Sequence, residues 1–393
     1  MIQSIGTYLP SWGKDLSRLP GDDEDVVTMA VSAGLNALAS VDPGGVTSVH
    51  LVSRELPLLE GGNSAALLAG LGLPATLDVH EQSGGAPAAL MTAASVPPGT
   101  LIVAADLDGG AGAAAVITGR SGSSLEITGR IARSLPVAAR GWTGPRRDYG
   151  DPRLLRELGV KESLKELGAA KVSAVAGLRG KEAVQLCMGD PPALPTVGAS
   201  AAFFALAGLV DRGELADLVA IEQASLALAA FGSGPVPVVR EEPVARAPIA
   251  TRPASDTDIS ISLAAYGRAF DAKLRLLAAR CTTCGTLSYP PRLRCISCGS
   301  EEPTDTVPLS RQAEVYTVAT IHVPVPGLGT PYTVVLAELD HAGVRVLVRL
   351  TGAPPGSVAI GDRGRMVFRR VAIRMGIPDY GYAFLPSPEE TAA

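Results

Sequence analysis

The chain has 393 residues, of which 47% are hydrophobic and 19% are charged. This length and composition allow two or three domains with large apolar cores and exclude a disordered scaffold. The net charge of -5 and the aromatic content of 4% argue against a general nucleic-acid binder. The first residues lack the pattern of a signal peptide, and prolines interrupt the longest uncharged stretch, 82–105. We therefore expect a cytoplasmic protein without a membrane span.

The first 234 residues give the same order of elements twice. Each half begins with an amphipathic helix and a β-rich run, continues through an apolar helix, and closes on a glycine-studded apolar segment. The order recurs at an offset of roughly 115 to 130 residues, which indicates an internal duplication. Alternating strands and helices predict an α/β fold with mostly parallel sheets covered by helices. One continuous doubly wound sheet is the alternative that periodicity leaves open.

Residues 235–257 carry five prolines among polar residues, which predicts a linker. After it, 258–310 begins with a short helical run. Residues 311–393 contain β-rich runs and a hairpin turn at 340–343. Short strands at this density predict a small closed barrel, for which an OB-fold is the natural candidate.

Four of the five cysteines form two Cys-x2-Cys pairs between these parts. They are Cys281, Cys284, Cys295 and Cys298. Two such pairs supply the four thiolates that Zn2+ takes tetrahedrally, and a glycine after each pair suits the turn. A disulfide pair would need export, and a redox site would need one such pair at a helix start. We therefore expect a structural zinc without an open position for substrate, and a buried, small apolar role for Cys187.

The run from 265 to 388 resembles a zinc-ribbon and OB-fold family that accompanies acyl-CoA enzymes of the thiolase superfamily. The motifs are RLLAARCTTCGTLSYPPRLRCISCGS, VYTVATIHVPVPGLGTPYTVVLAELD and IGDRGRMVF. The first 235 residues resemble the thiolase fold of hydroxymethylglutaryl-CoA synthase and ketoacyl synthase III, through DEDVVTMA, GGAGAAAVITG, VGASAAFFALAGL and ASLALAAFGSG. The resemblances imply a duplicated αβαβα sandwich (1–234), a linker (235–257), a helix with a rubredoxin-like zinc ribbon (258–310) and an OB-fold (311–393).

The same resemblance places Ser83 where these enzymes carry a nucleophilic cysteine at a helix N-terminus. It places Gly177 where they carry a basic histidine, and no histidine lies between residues 81 and 321. Serine lacks an accessible anion near neutral pH unless a base activates it. Glu55 lies near the family's catalytic glutamate, with a solvated carboxylate as the alternative. Tyr149 is a candidate acid for an aldolase-like variant, and a surface residue is its alternative.

Arginines cluster on the last barrel strands. The candidates for binding coenzyme A are Arg345, Arg349, Arg365 and Arg369. A guanidinium fork suits the phosphates of this ligand. A solvated basic face is the alternative, because alternate residues of a strand point outward. Single-stranded nucleic acid would need a basic groove with stacking aromatics, which this composition disfavours.

These features and the resemblance predict an accessory, non-catalytic thiolase-fold subunit. It is expected to bind acyl-CoA and to work beside an active thiolase-type partner in a homo- or hetero-oligomer. The rival expectation is an enzyme that uses Ser83 and Glu55. It would be a hydroxymethylglutaryl-CoA-synthase-like condensing enzyme or a retro-aldolase on CoA thioesters, because aldol cleavage needs only acid-base groups and an oxyanion site.

Overall fold

The computed structural model describes residues 1–59, 62–140, 146–169, 171–213, 215–232, 234–251, 262–302, 304–323 and 328–387. The chain folds into two compact units. The first comprises Met1–Leu19, Met29–Leu59 and Thr76–Ala245, and the second comprises Pro20–Thr28, Glu60–Ala75 and Arg246–Ala393. The predicted domain limits at 234, 257 and 310 stay predictions. Among the described residues, no helix has the length and apolar character needed to span a bilayer.

The chain up to Thr118 supplies the first half of an α/β sandwich. Its elements are β1 (Ile2–Tyr8), β2 (Trp12–Lys14), β3 (Ser17–Leu19), α1 (Val26–Leu38), a 3-10 turn (Pro43–Gly45), β4 (Ser48–Val52), α2 (Asn63–Leu71), β5 (Asp78–Gln82), α3 (Ala86–Ser95), β6 (Thr100–Asp106) and β7 (Gly112–Thr118). In the first unit, β1, β7, β6, β4 and β5 hydrogen-bond in that order. Every residue of β6 and β7 is buried, as expected for central strands covered on both faces.

The chain from 125 to 241 supplies the second half. Its elements are β8 (Leu125–Ala132), β9 (Ala138–Arg140), β10 (Arg146–Asp148), α4 (Pro152–Leu154), a π-helical segment (Leu155–Glu162), α5 (Ser163–Leu167), β11 (Ala174–Ala176), α6 (Gly180–Leu186), α7 (Ala201–Arg212), β12 (Ala216–Ile221), β13 (Ser225–Phe231) and β14 (Val238–Glu241). Strands β11, β12, β13 and β8 form a second sheet in that order.

The two sheets repeat one topology. In the first, β4 pairs parallel with β6, which pairs antiparallel with β7, which pairs antiparallel with β1. In the second, β11 pairs parallel with β12, which pairs antiparallel with β13, which pairs antiparallel with β8. This repetition confirms the predicted duplication. The sheets are mixed rather than mostly parallel, because short turns reverse the chain between β6 and β7 and between β12 and β13.

Helices α3 and α7 form the layer between the two sheets. Alanines of both helices belong to one core cluster with residues of both sheets, including Ala104 of β6 and Ala220 of β12. Small side chains allow the helices and strands to approach closely. Strand β14 lies in the predicted linker and is the edge strand of the first sheet, where it pairs parallel with β1. An edge position tolerates the neighbouring prolines, because one side of the strand needs no ladder partner.

The second unit contains a small three-stranded sheet and a five-stranded barrel. Its C-terminal elements are α8 (Leu263–Arg275), β15 (Leu277–Cys281), β16 (Leu287–Ser288), β17 (Thr304–Pro308), β18 (Gln312–Ile321), β19 (Tyr332–Leu339), β20 (Val344–Arg349), β21 (Arg363–Arg374) and β22 (Ile377–Pro386). The small sheet has the order β16-β15-β17, and the barrel has the order β20-β19-β18-β21-β22. A parallel bridge between Leu350 and Phe384 joins the two ends of the barrel sheet. The predicted zinc ribbon and OB-fold are confirmed, and β22 is a strand that the sequence analysis missed.

Two segments from the first half of the sequence also belong to the second unit. The C-terminal end of α2 is fixed by two arginines, since Arg275 donates to the carbonyl of Leu73 and Arg311 donates to that of Gly70, each at 2.8 Å. Such donors satisfy carbonyls that the end of a helix leaves without partners. The second segment, residues 20–28, is named the acidic segment here. Its backbone carbonyl at Asp23 accepts a 2.9 Å hydrogen bond from the amide of Arg370 on β21.

Candidate functional site

The four cysteines of the ribbon converge on one point. Their sulfur atoms all lie within 4.8 Å of one another. Two of the distances are 3.7 Å, between Cys281 and Cys298, and 3.6 Å, between Cys284 and Cys295. A tetrahedral Zn2+ with bonds of about 2.3 Å separates its sulfur ligands by about 3.8 Å. The donor set therefore fits zinc, and the sulfur distances are far longer than the bond of a disulfide.

The two Cys-x2-Cys pairs fold into matching turns. The amide of Cys281 donates to Thr286 at 3.0 Å, and that of Cys295 donates to Ser300 at 2.9 Å. The glycine after each pair closes the turn on the first cysteine: Gly285 donates to the carbonyl of Cys281 and Gly299 to that of Cys295. Both glycines have positive φ, 75° and 74°. A residue with a Cβ would be strained there, which is the physical reason for the glycines.

Polar contacts favour the metal-binding form of Cys284. The hydroxyl of Thr286 lies 3.3 Å from the sulfur of Cys284 and lowers the pKa of that thiol to about 6. A thiolate is the form that binds zinc. The hydroxyls of Thr283 and Ser300 are 3.1 Å apart and join the two turns. The fifth cysteine, Cys187, is buried beside α6, and burial raises the pKa of its thiol.

The predicted catalytic residues lie at one edge of the first sheet. Val52 and Gln82 are paired at the ends of the parallel strands β4 and β5, and Glu55 and Ser83 follow these ends. Ser83 is exposed. The Oε2 atom of Glu55 accepts a 3.4 Å hydrogen bond from the amide of Leu107. The fold therefore brings Ser83 and Glu55 to the same edge of the sheet.

The position that the resemblance assigns to a basic histidine has no room for any side chain. Gly177 follows β11 and has a φ of 98°. A Cβ at this position would lie 2.0 Å from the carbonyl oxygen of Ile221. A histidine would therefore strain the backbone and collide with β12. Tyr149, the candidate acid for an aldolase-like variant, is 43% exposed, as a surface residue would be.

The N-terminus of α3 is occupied by a carboxylate from the second half of the first unit. A Cβ on Gly85, the residue before α3, would lie 1.9 Å from Oε1 of Glu222. The other oxygen of Glu222 forms a 2.5 Å ion pair with Arg54, which follows β4. Oε1 is buried, with no hydrogen-bond partner among the described residues. A carboxylate is stabilised at a helix N-terminus, where the backbone presents partial positive charge.

The N-terminus of α7 is occupied in a similar way. Asp106, at the end of β6, is fully buried and accepts hydrogen bonds from the amides of Ala199 and Ser200 at 2.7 and 2.8 Å. Burial raises the pKa of Asp106, and these hydrogen bonds oppose the shift. A Cβ on Gly198 would lie 2.0 Å from this carboxylate. Both central helices thus begin beside a carboxylate of the chain itself.

Glu222, Arg54 and Asp106 are functional-site residues that were not predicted from the sequence. No motif marks them, because each side chain meets its partner through contacts between the two halves of the sandwich. A signal was present in the glycines before the two helices, SGGAP at 83–87 and VGAS at 197–200. A glycine at such a position often marks a close approach by another group.

The four predicted coenzyme A arginines have different surroundings. Arg345 is exposed, forms a 2.7 Å ion pair with Glu338 and lies over the ring of Tyr316 at 3.4 Å. Arg349 donates to the carbonyl of Val371 at 3.3 Å, and Arg365 is half-buried on β21. These three side chains retain contact with solvent.

Arg369 is different, because its side chain is only 1% exposed. Its guanidinium pairs with Glu24 of the acidic segment at 3.2 Å. On either side, Thr351 donates to the carboxylate of Asp23 at 3.1 Å and Tyr380 donates to that of Asp25 at 3.0 Å. Burial raises the pKa of Asp25. The structure thus places Arg369 in a buried ionic cluster and separates it from the exposed arginines.

Comparison with known proteins identifies the second unit. The family model "ChsH2, rubredoxin-like zinc ribbon domain" matches residues 271–304, and "ChsH2, C-terminal OB-fold domain" matches residues 306–369. A DUF35 domain-containing scaffold protein of Methanocaldococcus jannaschii is 32% identical over 115 residues, which are 28% of this chain and 81% of that protein. The chain belongs to the DUF35 family. Another relative, the benzoylsuccinyl-CoA thiolase subunit BbsA of Thauera aromatica, is 34% identical over 27% of this chain and 72% of its own length.

Solved structures resemble both parts of this DUF35 protein. The 3-oxoacyl-[acyl-carrier-protein] synthase III of Aquifex aeolicus is 16% identical and covers 59% of this chain and 99% of its own, with a TM-score of 0.44. An HMG-CoA synthase complexed with CoA is 14% identical and covers 59% and 82%, with a TM-score of 0.45. The Ltp2-ChsH2(DUF35) aldolase is 29% identical and covers 34% and 98%, with a TM-score of 0.27. The first unit itself repeats one strand order around a central pair of helices.

Proposed function

We propose that this DUF35 protein is a non-catalytic accessory subunit that binds acyl-CoA and works with an active thiolase-type enzyme. The observation that carries the proposal is the carboxylate of Glu222 at the N-terminus of α3. Nucleophilic cysteines and oxyanions gain stability at such a position from the backbone amides and the helix dipole. One carboxylate oxygen of Glu222 lies beside Gly85, the residue before this helix, and the other pairs with Arg54. A second anion would be repelled there.

The other parts of the degenerate site support the same proposal. Ser83 is exposed, and an unactivated serine hydroxyl is a weak nucleophile. Gly177 cannot be replaced by a base without backbone strain. The proposal of a thiolase-type partner is supported by the relative BbsA, which is named a thiolase subunit. The match covers 72% of the length of BbsA.

Activity assays and co-purification test this function together. The chain purified alone is expected to catalyse neither the thiolysis of acetoacetyl-CoA nor the condensation of acetyl-CoA with acetoacetyl-CoA. The chain isolated from its native host is expected to retain a thiolase-type subunit, identified by mass spectrometry. Robust activity of the isolated chain, abolished by Glu55→Gln with an unchanged circular dichroism spectrum, would instead establish the rival, a condensing enzyme or retro-aldolase. Isolation without any thiolase-type subunit would contradict the partner assignment.

Coenzyme A is proposed to bind on the outward face of β20. Arg345 and Arg349 lie on this face with Leu347, which is 70% exposed, between them. Two guanidinium groups beside an apolar side chain and the ring of Tyr316 suit the phosphates and the adenine of this ligand. Arg369 is not part of the proposed site, because its side chain is buried and its charge is paired with Glu24 of the acidic segment.

Replacing both arginines should weaken this binding. A single charge-assisted hydrogen bond contributes about 1.5–3 kcal/mol, so Arg345→Ala with Arg349→Ala is expected to raise the Kd for coenzyme A by at least about tenfold. The affinity of the parent protein should also fall with added salt. Isothermal titration calorimetry at two salt concentrations measures both effects. The control is Arg363→Ala, an exposed arginine paired with Asp340 on another strand. An equal loss in the control, or an unchanged Kd in the double variant, would contradict the site.

A further inference from the structure

A cleft of about 420 Å³ opens beside helix α7 in the first unit. This volume lies within the range of about 300 to 1,000 Å³ that is typical of small-molecule sites. Phe204, Gly208 and Arg212 line the cleft from one side of α7, because residues four apart on a helix share a face. Strand β14 and the segment after it contribute Arg240 and Glu242. The cleft is therefore built by regular elements of the first unit.

The interior of the cleft is apolar. Phe204 is 5% exposed and Pro195 is buried, whereas Leu16 is 38% exposed. A Cβ on Gly208 would lie 2.7 Å from the Cβ of Pro192, so the glycine allows the loop around Pro192 to lie directly against α7. A ligand with an apolar body would gain free energy when these side chains remove it from water.

Two carboxylates at the cleft already have a cationic partner. The guanidinium of Arg240 forms ion pairs with Asp211 at 2.7 Å and with Glu242 at 3.2 Å. Glu242 also accepts a 2.5 Å hydrogen bond from the hydroxyl of Thr7. These contacts leave neither carboxylate without a partner for its charge.

The second arginine of the lining is different. Arg212 is exposed, and its Nη2 donates to the backbone carbonyl of Asp190 at 2.5 Å. No carboxylate in the described part of the chain forms an ion pair with Arg212. A guanidinium has five N–H donors in a planar fork, which suits a carboxylate. A ligand that joins an apolar body to one carboxylate would therefore complement both the interior of the cleft and this arginine.

We infer that this cleft binds an apolar monocarboxylate, a free alkyl or aryl carboxylic acid in its ionised form. Its carboxylate pairs with Arg212, and its apolar body covers Phe204 and Pro195. A cationic amphiphile is disfavoured, because the carboxylates of Asp211 and Glu242 are already paired with Arg240. The inference goes beyond the proposed function, because the cleft belongs to the first unit and the proposed coenzyme A site lies on β20 of the second.

Isothermal titration calorimetry of the full chain tests this site with octanoate as the probe. The parent protein should bind one octanoate per chain. Arg212→Gln should raise the Kd at least about tenfold, because charge-assisted hydrogen bonds are lost. Ala193→Trp places a large side chain on an exposed residue of the lining and should block binding. The control is Arg156→Gln, since Arg156 is 57% exposed and lies 3.8 Å from Glu182 in the same unit. It should bind octanoate as the parent does.

Two further probes, octylamine and 1-octanol, test the charge of the ligand. Both should bind at least about tenfold more weakly than octanoate, because neither pairs with a guanidinium. Equal binding of 1-octanol would overturn the role of the carboxylate, and tighter binding of octylamine would overturn the sign of the charge. The assignment of the cleft is wrong if octanoate shows no saturable binding, or if Arg212→Gln and Ala193→Trp leave its Kd unchanged.

The coenzyme A variant separates the two proposals. Arg345→Ala with Arg349→Ala should bind octanoate as the parent does, and Arg212→Gln should keep the parent affinity for coenzyme A. Loss of octanoate binding in the double variant would place octanoate on β20 and overturn the cleft. Loss of coenzyme A binding in Arg212→Gln would show that the cleft is part of the coenzyme A site, which would also contradict the inference.

Discussion

Replacing Cys295 with serine is expected to remove zinc from the protein and to unfold the ribbon. Few apolar contacts hold this region together, because the buried residues of its three described strands are Ala278, Ala279 and Cys281. A region with so small a core depends on metal binding for most of its folding free energy. A chelator should have the same effect on the parent protein, since bound metal stabilises the folded form by mass action.

Zinc analysis and limited proteolysis measure this outcome. The parent protein should contain one zinc per chain, and Cys295→Ser should contain none. Trypsin provides a local readout, because the ribbon carries exposed arginines at 280, 292 and 294. These sites should be cleaved much faster in the variant. Cys187→Ser is the matched control, because this cysteine lies in the first unit, away from the cluster. A Cys295→Ser protein that keeps stoichiometric zinc and resists trypsin would contradict a structural role of the four thiolates.

The ribbon could be predicted from the sequence because its determinants are local. Four cysteines and two glycines within 19 residues specify both the metal and the turns. The barrel strands β18 to β21 were predictable for a similar reason, since their apolar residues alternate over short runs. The duplication was visible because both halves repeat the same order of helices and strands, and order alone does not require knowledge of side-chain contacts.

The carboxylates at the two central helices could not be predicted in this way. Glu222 is separated from Gly85 and Arg54 by more than a hundred residues of sequence. Periodicity indicates which face of a helix or strand is buried, but it does not indicate which distant residue packs against that face. The burial of Arg369 could not be predicted for a related reason. Alternation suggested an outward side chain, but residues 366–369 of β21 are all buried. A register shift between Arg370 and Ala372 interrupts the alternation nearby.

Removing the positive charge of Arg369 is expected to destabilise the second unit strongly. Arg369 and Glu24 are 1% and 5% exposed, and their nearest oxygen and nitrogen atoms are 3.2 Å apart. Arg369→Met keeps much of the side-chain volume but leaves the carboxylate of Glu24 buried without its ion-pair partner. Breaking a buried pair in this way costs about 3–5 kcal/mol. Urea unfolding followed by far-UV circular dichroism measures the change in the free energy of unfolding.

The double variant separates loss of the pair from loss of packing. Arg369→Met with Glu24→Gln removes both charges of the buried pair and should recover most of the lost stability, because neither charge is left buried without its partner. Arg363→Met is the control on the same strand. Arg363 is half exposed and pairs with Asp340 in contact with solvent, so the unfolding midpoint should hardly move. If Arg369→Met were as mild as the control, Arg369 would not be a structural anchor of the acidic segment, and its charge would again be available for binding a phosphate.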